Sequence, residues 1–199
     1  MNVDIWSDIA CPWCYIGKRR FEKALADFPH RDEVTVTWHS YQLDPTLPEH
    51  FDGSEVEYLS SRKGMPVEQV RQMIGYVSEQ ALGEGLEFDY DNLVVANSIR
   101  AHQLLHLAKE HGVADRVKDA LLSAHFEHGQ DIGDLAVLTA VGTDAGLDAD
   151  EIRTALESEQ YLPAVQEDIA QARQIGIQGV PFFVLGGRYG VSGAQPPTV

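Results

Sequence analysis

The strongest constraint on this chain is that both of its cysteines, Cys11 and Cys14, lie in one Cys-Pro-Trp-Cys tetrapeptide. A disulfide between them would close so small a loop that it could restrict the unfolded chain very little. A structural disulfide would instead join distant segments. The pair therefore points to redox chemistry or metal binding rather than to a structural crosslink.

The segments on either side of the tetrapeptide predict a β–α–β unit. Residues 3–7 are rich in β formers, residues 13–28 carry apolar side chains at helical spacing, and residues 34–39 alternate as in a strand. Pro12 falls in the first helical turn, where no intrahelical N–H is needed. The cysteine pair is thus predicted at the start of the first helix.

Helical patterning fills the middle of the chain, and strand character returns near its end. Apolar residues recur at helical spacing over 67–82, 93–111, 115–128, 134–145 and 148–158. A further predicted helix at 162–175 precedes two short predicted strands, 179–185 and 189–192, which Gly-Gly connects as a hairpin. The pattern predicts an α/β domain formed by residues 1–42 and 160–199, with a large all-helical insertion domain at 43–159.

The composition excludes several classes of partner. Fifteen Lys and Arg residues face 31 Asp and Glu residues, a net charge of −16, and such a surface repels nucleic acid and anionic membranes. No apolar run reaches the length of about 18 residues that a membrane span needs. The N-terminus lacks the basic and apolar regions of a signal peptide. The sequence therefore predicts a cytoplasmic protein that binds neither nucleic acid nor membrane.

A helix start favours ionisation of a cysteine. The Cys11 sulfur is expected beside first-turn N–H groups that have no intrahelical partner, and these groups with the helix dipole favour a thiolate. We therefore expect Cys11 to attack a substrate disulfide. Cys14 lies one turn later on the same helix face, and we expect it to be more buried and to resolve the mixed disulfide.

Val180 and Pro181 form the second feature of interest. A proline that opens a strand between apolar residues is a natural place for a cis peptide bond; a trans proline on an edge strand is the alternative. In the cis form, the Val180 backbone would face the Cys11 sulfur and could pair with an extended substrate segment. Trp13 is interpreted either as an apolar platform for substrate or as a hydrophobic cap on the first helix.

These features resemble the thioredoxin superfamily, more narrowly DsbA-type proteins with a helical insertion, and within that group the cytoplasmic FrnE-type proteins. The resemblance is carried by SDIACPWCYIG at 7–17, GLEF at 85–88 and GVPFF at 179–183. It implies a thioredoxin-like fold and dithiol–disulfide exchange on a disulfide-containing protein or a small thiol or disulfide, with no metal or organic cofactor. The implied catalytic residues are Cys11, Cys14 and Pro181, and the implied substrate-binding residues are Pro12, Trp13 and Val180.

The resemblance also brings alternatives. Many DsbA proteins have His where this chain has Trp13, so a strongly oxidising potential is not expected. The related kappa-class glutathione transferases and 2-hydroxychromene-2-carboxylate isomerases usually carry Ser at the position of Cys11 and use the thiol of glutathione. A glutathione-dependent isomerase or transferase is therefore the alternative function, with glutathione as a co-substrate. A non-catalytic binding module built on the helical insertion is a third. The sequence leaves the oligomeric state open.

Histidines and an acidic residue supply further candidates. Cys-x2-Cys together with His102 and His106, or with His125 and His128, formally fits a zinc site of two cysteines and two histidines. Compact zinc modules use shorter separations than the one from the tetrapeptide to these residues, so we interpret the histidines as ordinary helix residues. Asp8 and His39 are candidate proton carriers for the thiols, although a loop acid and a strand-end histidine are more often solvated.

Overall fold

The sheet that positions the cysteine pair has four strands in the order β2-β1-β3-β4. β1 (Asn2–Ser7) pairs in parallel with β2 (Thr35–Ser40) and antiparallel with β3 (Phe182–Leu185), which continues as a hairpin into β4 (Tyr189–Ser192). The computed structural model describes residues 1–49 and 51–199. Because β1 is an inner strand of the sheet, the cysteine loop that follows it lies at the end of the sheet where β1 finishes, between the ends of β2 and β3.

The first helix, α1 (Pro12–Asp27), begins within the tetrapeptide. Cys11 is the N-cap residue and Pro12 is the first residue of the helix, so the prediction of a cysteine pair at a helix start is confirmed. α1 supplies the crossover that two parallel strands require. Its Phe21 ring packs against Phe183 of β3 with ring centroids 5.6 Å apart, which fixes the helix on the sheet.

Helices occupy most of the chain between β2 and β3. In the described residues these are α2 (Glu55–Lys63), α3 (Val67–Gly83), α4 (Ile99–Glu110), α5 (Ala114–Phe126), α6 (Leu135–Asp144), α7 (Ala149–Glu157) and α8 (Leu162–Gln174). The predicted α/β architecture with a large helical segment is confirmed. The division into domains at residues 43 and 159 stays a prediction. No helix in the described part of the chain is long and apolar enough to cross a membrane.

Two helix boundaries differ from the patterning. The helix predicted from residue 93 begins at Ile99, because the Asn97 side chain accepts the Ile99 N–H at 3.0 Å and such local bonds compete with a helix. Apolar spacing alone does not predict α2. Its start is fixed by a capping box, in which the side chains of Ser54 and Glu57 each accept a hydrogen bond from the other's backbone N–H.

The largest apolar cluster ties the cysteine loop to the helices. Ile9, two residues before Cys11, is fully buried in a cluster that includes Leu104 of α4 and Leu121 of α5. Truncating a fully buried leucine typically costs about 2–5 kcal/mol. The loop that carries the cysteines therefore rests on α4 and α5 as well as on the sheet.

Candidate active site

Both cysteines are free thiols in the interior of the protein, with exposed fractions of 3% for Cys11 and 1% for Cys14. The Cys11 sulfur donates to the Val180 carbonyl at 3.6 Å. The Cys14 sulfur accepts the backbone N–H of Asp8 at 3.4 Å. Cys11 also lines a cavity whose wall does not include Cys14. Cys11 is therefore the outer sulfur of the pair and Cys14 the inner one.

Val180 and Pro181 approach the pair from the start of β3. The Val180–Pro181 peptide bond is cis. Pro181 is buried against α1, where a Cβ added to Gly17 would lie 2.7 Å from its Cγ. A side chain at position 17 would thus displace the proline, and glycine permits the close approach.

The structure brings the six predicted site residues into one region of the molecule. Pro12 and Trp13 line the cavity beside Cys11, and the Trp13 ring lies 6.0 Å from the Tyr76 ring of α3 between centroids. Trp13 is therefore held between α1 and α3, and the two interpretations of it, a platform and a cap, are both compatible with this position.

The cavity in front of Cys11 has a volume of about 490 Å³. Its walls come from the cysteine loop, the segment after β2, helices α2 and α3, the loop before α4, and His125 of α5. Cavities of this size typically hold small molecules. The outer sulfur therefore faces a space in which a low-molecular-weight substrate fits.

Asp8 is a buried carboxylate close to the thiols. Its oxygens accept the N–H groups of Leu43 at 2.8 Å and Ala10 at 3.3 Å, and Oδ1 lies 3.0 Å from Nε2 of His102. Burial raises the pKa of Asp8, but the hydrogen bond and charge of His102 and the Leu43 N–H outweigh it, so the pKa is lowered. Asp8 is thus ionised at neutral pH, and because its lowered pKa disfavours the protonated form, its role as a proton carrier stays a prediction.

Lys118 is a site residue that the sequence reasoning missed. It lies on α5, is 1% exposed, and its Nζ is 5.5 Å from the centroid of the Trp38 ring. Burial lowers the pKa of Lys118 to about 8, although the charges of Cys14, Asp8 and Cys11 oppose the decrease. The sequence does contain one indication that Lys118 is buried. It lies three and four residues before the apolar Leu121 and Leu122, and this spacing places Lys118 on the apolar face of the helix.

The pKa values of the two thiols are shifted in opposite directions. The hydrogen bond with Cys14, together with burial, raises the pKa of Cys11 well above its usual value. Burial also raises the pKa of Cys14, but the hydrogen bond from Cys11 and the charge of Lys118 outweigh it, so the pKa of Cys14 is lowered. The two thiols therefore titrate as one coupled pair.

The directions of these pKa shifts do not favour the predicted Cys11 thiolate, which stays a prediction. As N-cap residue, Cys11 has no side-chain hydrogen bond from the first-turn amides. The Cys14 N–H does lower the pKa of Cys11, but by less than the opposing effects. The inner sulfur instead receives an N–H from Asp8 and lies near an ammonium that comes from α5, which local spacing could not show.

His39 lies in a separate polar network and not beside the thiols. Its Nδ1 is 2.8 Å from Asp168, its Nε2 is 2.9 Å from Asp4, and its ring stacks on Trp6 with centroids 4.3 Å apart. Asp168 also lies 3.0 Å from Nε2 of His106. This network joins β1, β2, α4 and α8, so the role of His39 that its contacts support is structural.

The histidines give little support to a zinc site. His102 is engaged with Asp8 and His106 with Asp168. Over residues 1–49 and 51–199, no group of three or more His, Cys, Asp or Glu side chains is arranged to hold a metal ion.

A cysteine pair at a helix start, next to a central strand and facing a proline that opens a neighbouring strand, defines the thioredoxin-like class of proteins. The chain belongs to the DSBA-like thioredoxin domain family, whose model matches residues 2–199. The resemblance to DsbA-type proteins is thereby confirmed.

The solved structures agree with this assignment. The chain is 43% identical to a probable DsbA oxidoreductase from Streptomyces coelicolor, with a TM-score of 0.94 over 100% of this chain and 86% of that one. A 2-hydroxychromene-2-carboxylate isomerase is 16% identical, with a TM-score of 0.74 over 98% and 89% of the two chains. The cytosolic disulfide reductase DsbM from Pseudomonas aeruginosa, solved with glutathione, is 18% identical, with a TM-score of 0.68 over 96% and 90%. The last two show that the fold is shared.

Proposed function

We propose that the protein is a dithiol–disulfide oxidoreductase that exchanges disulfides through Cys11 and Cys14. The observation that carries this proposal is the arrangement of the two sulfurs. Cys11 lines a cavity of about 490 Å³, while Cys14 lies behind it and is hydrogen-bonded by the Asp8 N–H. One sulfur is therefore placed to meet substrate and the other to displace it.

The exchange proceeds in two steps. The Cys11 thiolate attacks one sulfur of a substrate disulfide, a mixed disulfide forms, and the other half of the substrate leaves as a thiolate that takes up a proton. Cys14 then attacks Cys11, forming the protein disulfide and releasing the second half of the substrate as a thiol. One substrate disulfide and two protein thiols thus become two substrate thiols and one protein disulfide. The reverse reaction uses the same atoms.

The first step needs the negative charge on the outer sulfur. Cys11 and Cys14 titrate as one coupled pair, so the first proton lost leaves one negative charge for the two sulfurs. Transfer of the remaining proton to Cys14 gives the Cys11 thiolate. Lys118 lies near both sulfurs, so its ammonium stabilises the charge on either one. We assign Lys118 and Asp8 as the groups that set the ionisation of the pair.

The other predicted residues are assigned to substrate contact. The Val180 carbonyl already accepts from the Cys11 thiol at 3.6 Å, so it is positioned for an extended substrate segment at the same sulfur. Pro12 and Trp13 offer apolar surface on the cavity wall. Pro181 is assigned to the surface beside Cys11 on which the substrate segment would lie. The FrnE-type subgroup, the cytoplasmic location and the lack of nucleic-acid and membrane partners stay predictions.

We propose that glutathione, if the protein uses it, is a co-substrate and not a cofactor. The fold is shared with a disulfide reductase solved with glutathione and with an isomerase. An isomerase that borrows the thiol of glutathione has no use for a second protein sulfur. The buried inner Cys14 at the site therefore favours exchange over isomerisation.

The proposal is tested with the variant Cys14→Ser, which lacks the resolving sulfur. After reduction and treatment with a small disulfide, this variant is expected to hold one substrate half through Cys11, seen by intact mass and peptide mapping. The wild-type chain should instead lose two hydrogens and carry no adduct. Cys11→Ser is the matched control and should form no adduct at the outer position. A Cys14→Ser variant that forms no mixed disulfide would refute the proposal.

A further inference from the structure

Three carboxylates line the cavity in front of Cys11, and two of them are already satisfied within the protein. Asp8 is bonded by backbone N–H groups and faces His102. Asp44 accepts the Tyr58 hydroxyl at 3.0 Å and lies 3.5 Å from Nε of Arg62. Neither is free to bind a ligand cation without losing these contacts.

Glu55, the first residue of α2, is the third carboxylate and differs from the other two. It lines the cavity, and within the described residues its side chain has neither a hydrogen bond nor an ion pair. Burial raises the pKa of Glu55 to about 7, and no other group contributes to the shift. Glu55 is half-buried, a partly desolvated carboxylate without a partner is unfavourable, and a bound cation would lower that cost.

The surroundings of Glu55 connect it to the reactive sulfur. Tyr90 also lines the cavity, and burial followed by the charges of Glu55 and Cys11 raises its pKa. Its hydroxyl is therefore within electrostatic reach of both groups. Cys11, Tyr90 and Glu55 line the same cavity, so a ligand bound in it can approach both the sulfur and the carboxylate.

We infer that Glu55 is a substrate-recognition residue, and that the cavity selects small disulfides that carry a primary ammonium group. Such a substrate places one sulfur at Cys11 and its ammonium against the Glu55 carboxylate. Two cations also line the cavity: Arg62 is engaged with Asp44 and Thr46, and Lys63 is exposed. This inference rests on the proposed disulfide exchange and names its substrate class.

The test is a single-turnover reaction of the reduced protein with three small disulfides of different charge. Cystamine carries two ammonium groups, hydroxyethyl disulfide is neutral and of similar size, and dithiodiglycolate is anionic. Formation of the protein disulfide is followed by acid quench and mass. Each rate is divided by the rate of the same disulfide with dithiothreitol, which removes differences in intrinsic reactivity.

The normalised rate with cystamine is expected to exceed that with hydroxyethyl disulfide about tenfold, the lower end of what a charge-assisted hydrogen bond supplies. In Glu55→Gln this ratio should fall to about one. Because it compares two substrates on one protein, a general loss of folding does not mimic the result. Glu68→Gln removes an exposed carboxylate from the first turn of α3 and should keep the wild-type ratio.

A wild-type ratio near one, a ratio unchanged in Glu55→Gln, or a preference for dithiodiglycolate would overturn the assignment of Glu55 while leaving disulfide exchange intact. Failure of the reduced protein to react with any of the three disulfides would instead refute the proposed function itself.

Discussion

The ammonium of Lys118 is the feature whose removal tests the ionisation of the cysteine pair most sharply. The variant Lys118→Met keeps the length and apolar stem of the side chain but removes the charge. An opposite charge nearby typically shifts a pKa by about 1–3 units. Because Lys118 is fully buried, solvent screens this interaction little. We therefore expect the apparent pKa of the pair to rise by at least about one unit.

The same variant is expected to fold at least as stably as the wild type. Burial lowers the pKa of Lys118 from 10.5 to about 8, and at 1.36 kcal/mol per unit this difference is about 3 kcal/mol. The folded-state pKa lies below the unfolded one, so the charged lysine destabilises the protein at pH 7. The wild type recovers this stability as the pH rises from about 8 to about 10.5. Loss of thiol reactivity in Lys118→Met would therefore not be a consequence of unfolding.

The assay is the rate of alkylation by iodoacetamide between pH 5 and 10, with urea unfolding at pH 7 in parallel. The control is Lys109→Met, because the charge of Lys109 acts on Asp168 and His39. The control should keep the wild-type midpoint of the alkylation profile. An unshifted midpoint in Lys118→Met would refute the account of the ionisation, and a large loss of stability at pH 7 would refute the stated energetics.

Two further predictions concern the framework of the site. Burial lowers the pKa of His39, but its bonds to Asp168 and Asp4 raise the pKa overall. The stability that protonated His39 adds to the fold is therefore fully present below about pH 6.5, and it is lost as the pH rises through the raised pKa. Asp168→Asn should lower the free energy of unfolding by about 3–5 kcal/mol at pH 6 and by less at pH 9, measured in urea; equal losses at both pH values would contradict this. Gly17→Ala places a Cβ 2.7 Å from Pro181 and should lower the free energy of unfolding by about 1–3 kcal/mol. Gly75→Ala, which meets no atom within 4 Å, should raise it by about 0.5–1 kcal/mol; similar effects of the two changes would contradict the close approach.

Local chemistry predicts the elements that carry the outer half of the site. Within a helix, Pro12 is tolerated only in the first turn, and the observed α1 begins there. Gly186 and Gly187, both with positive φ, connect the two predicted strands of the β3–β4 hairpin. In each case one or two residues decide the local backbone, because proline fixes φ and glycine permits a positive φ.

The inner half of the site depends on contacts that local patterns do not encode. Lys118 and His102 reach the cysteine loop from α5 and α4, about a hundred residues along the chain from Asp8. Helical spacing places Lys118 on a buried face but does not say which residues it meets. The sequence argument for a Cys11 thiolate therefore includes the first-turn amides, which are a local signal, and omits the buried ammonium of Lys118, which is not.

The start of the helix that carries Glu55 is marked in the sequence by a capping-box motif. Ser54 and Glu57 have the spacing of a capping box, which indicates a helix beginning at Glu55. That helix forms part of the cavity wall. Its packing against α3 depends on tertiary contacts, so the cavity itself could not be predicted from the motif.

The central claim is that Cys11 and Cys14 cycle between dithiol and disulfide. Equilibration of the wild-type chain with mixtures of reduced and oxidised dithiothreitol, followed by acid quench and intact mass, tests it most directly. We predict one reversible transition in which the chain loses two hydrogens, mapped to a bond between Cys11 and Cys14 and absent from Cys11→Ser. A chain that keeps both thiols across the whole range of mixtures would contradict the account.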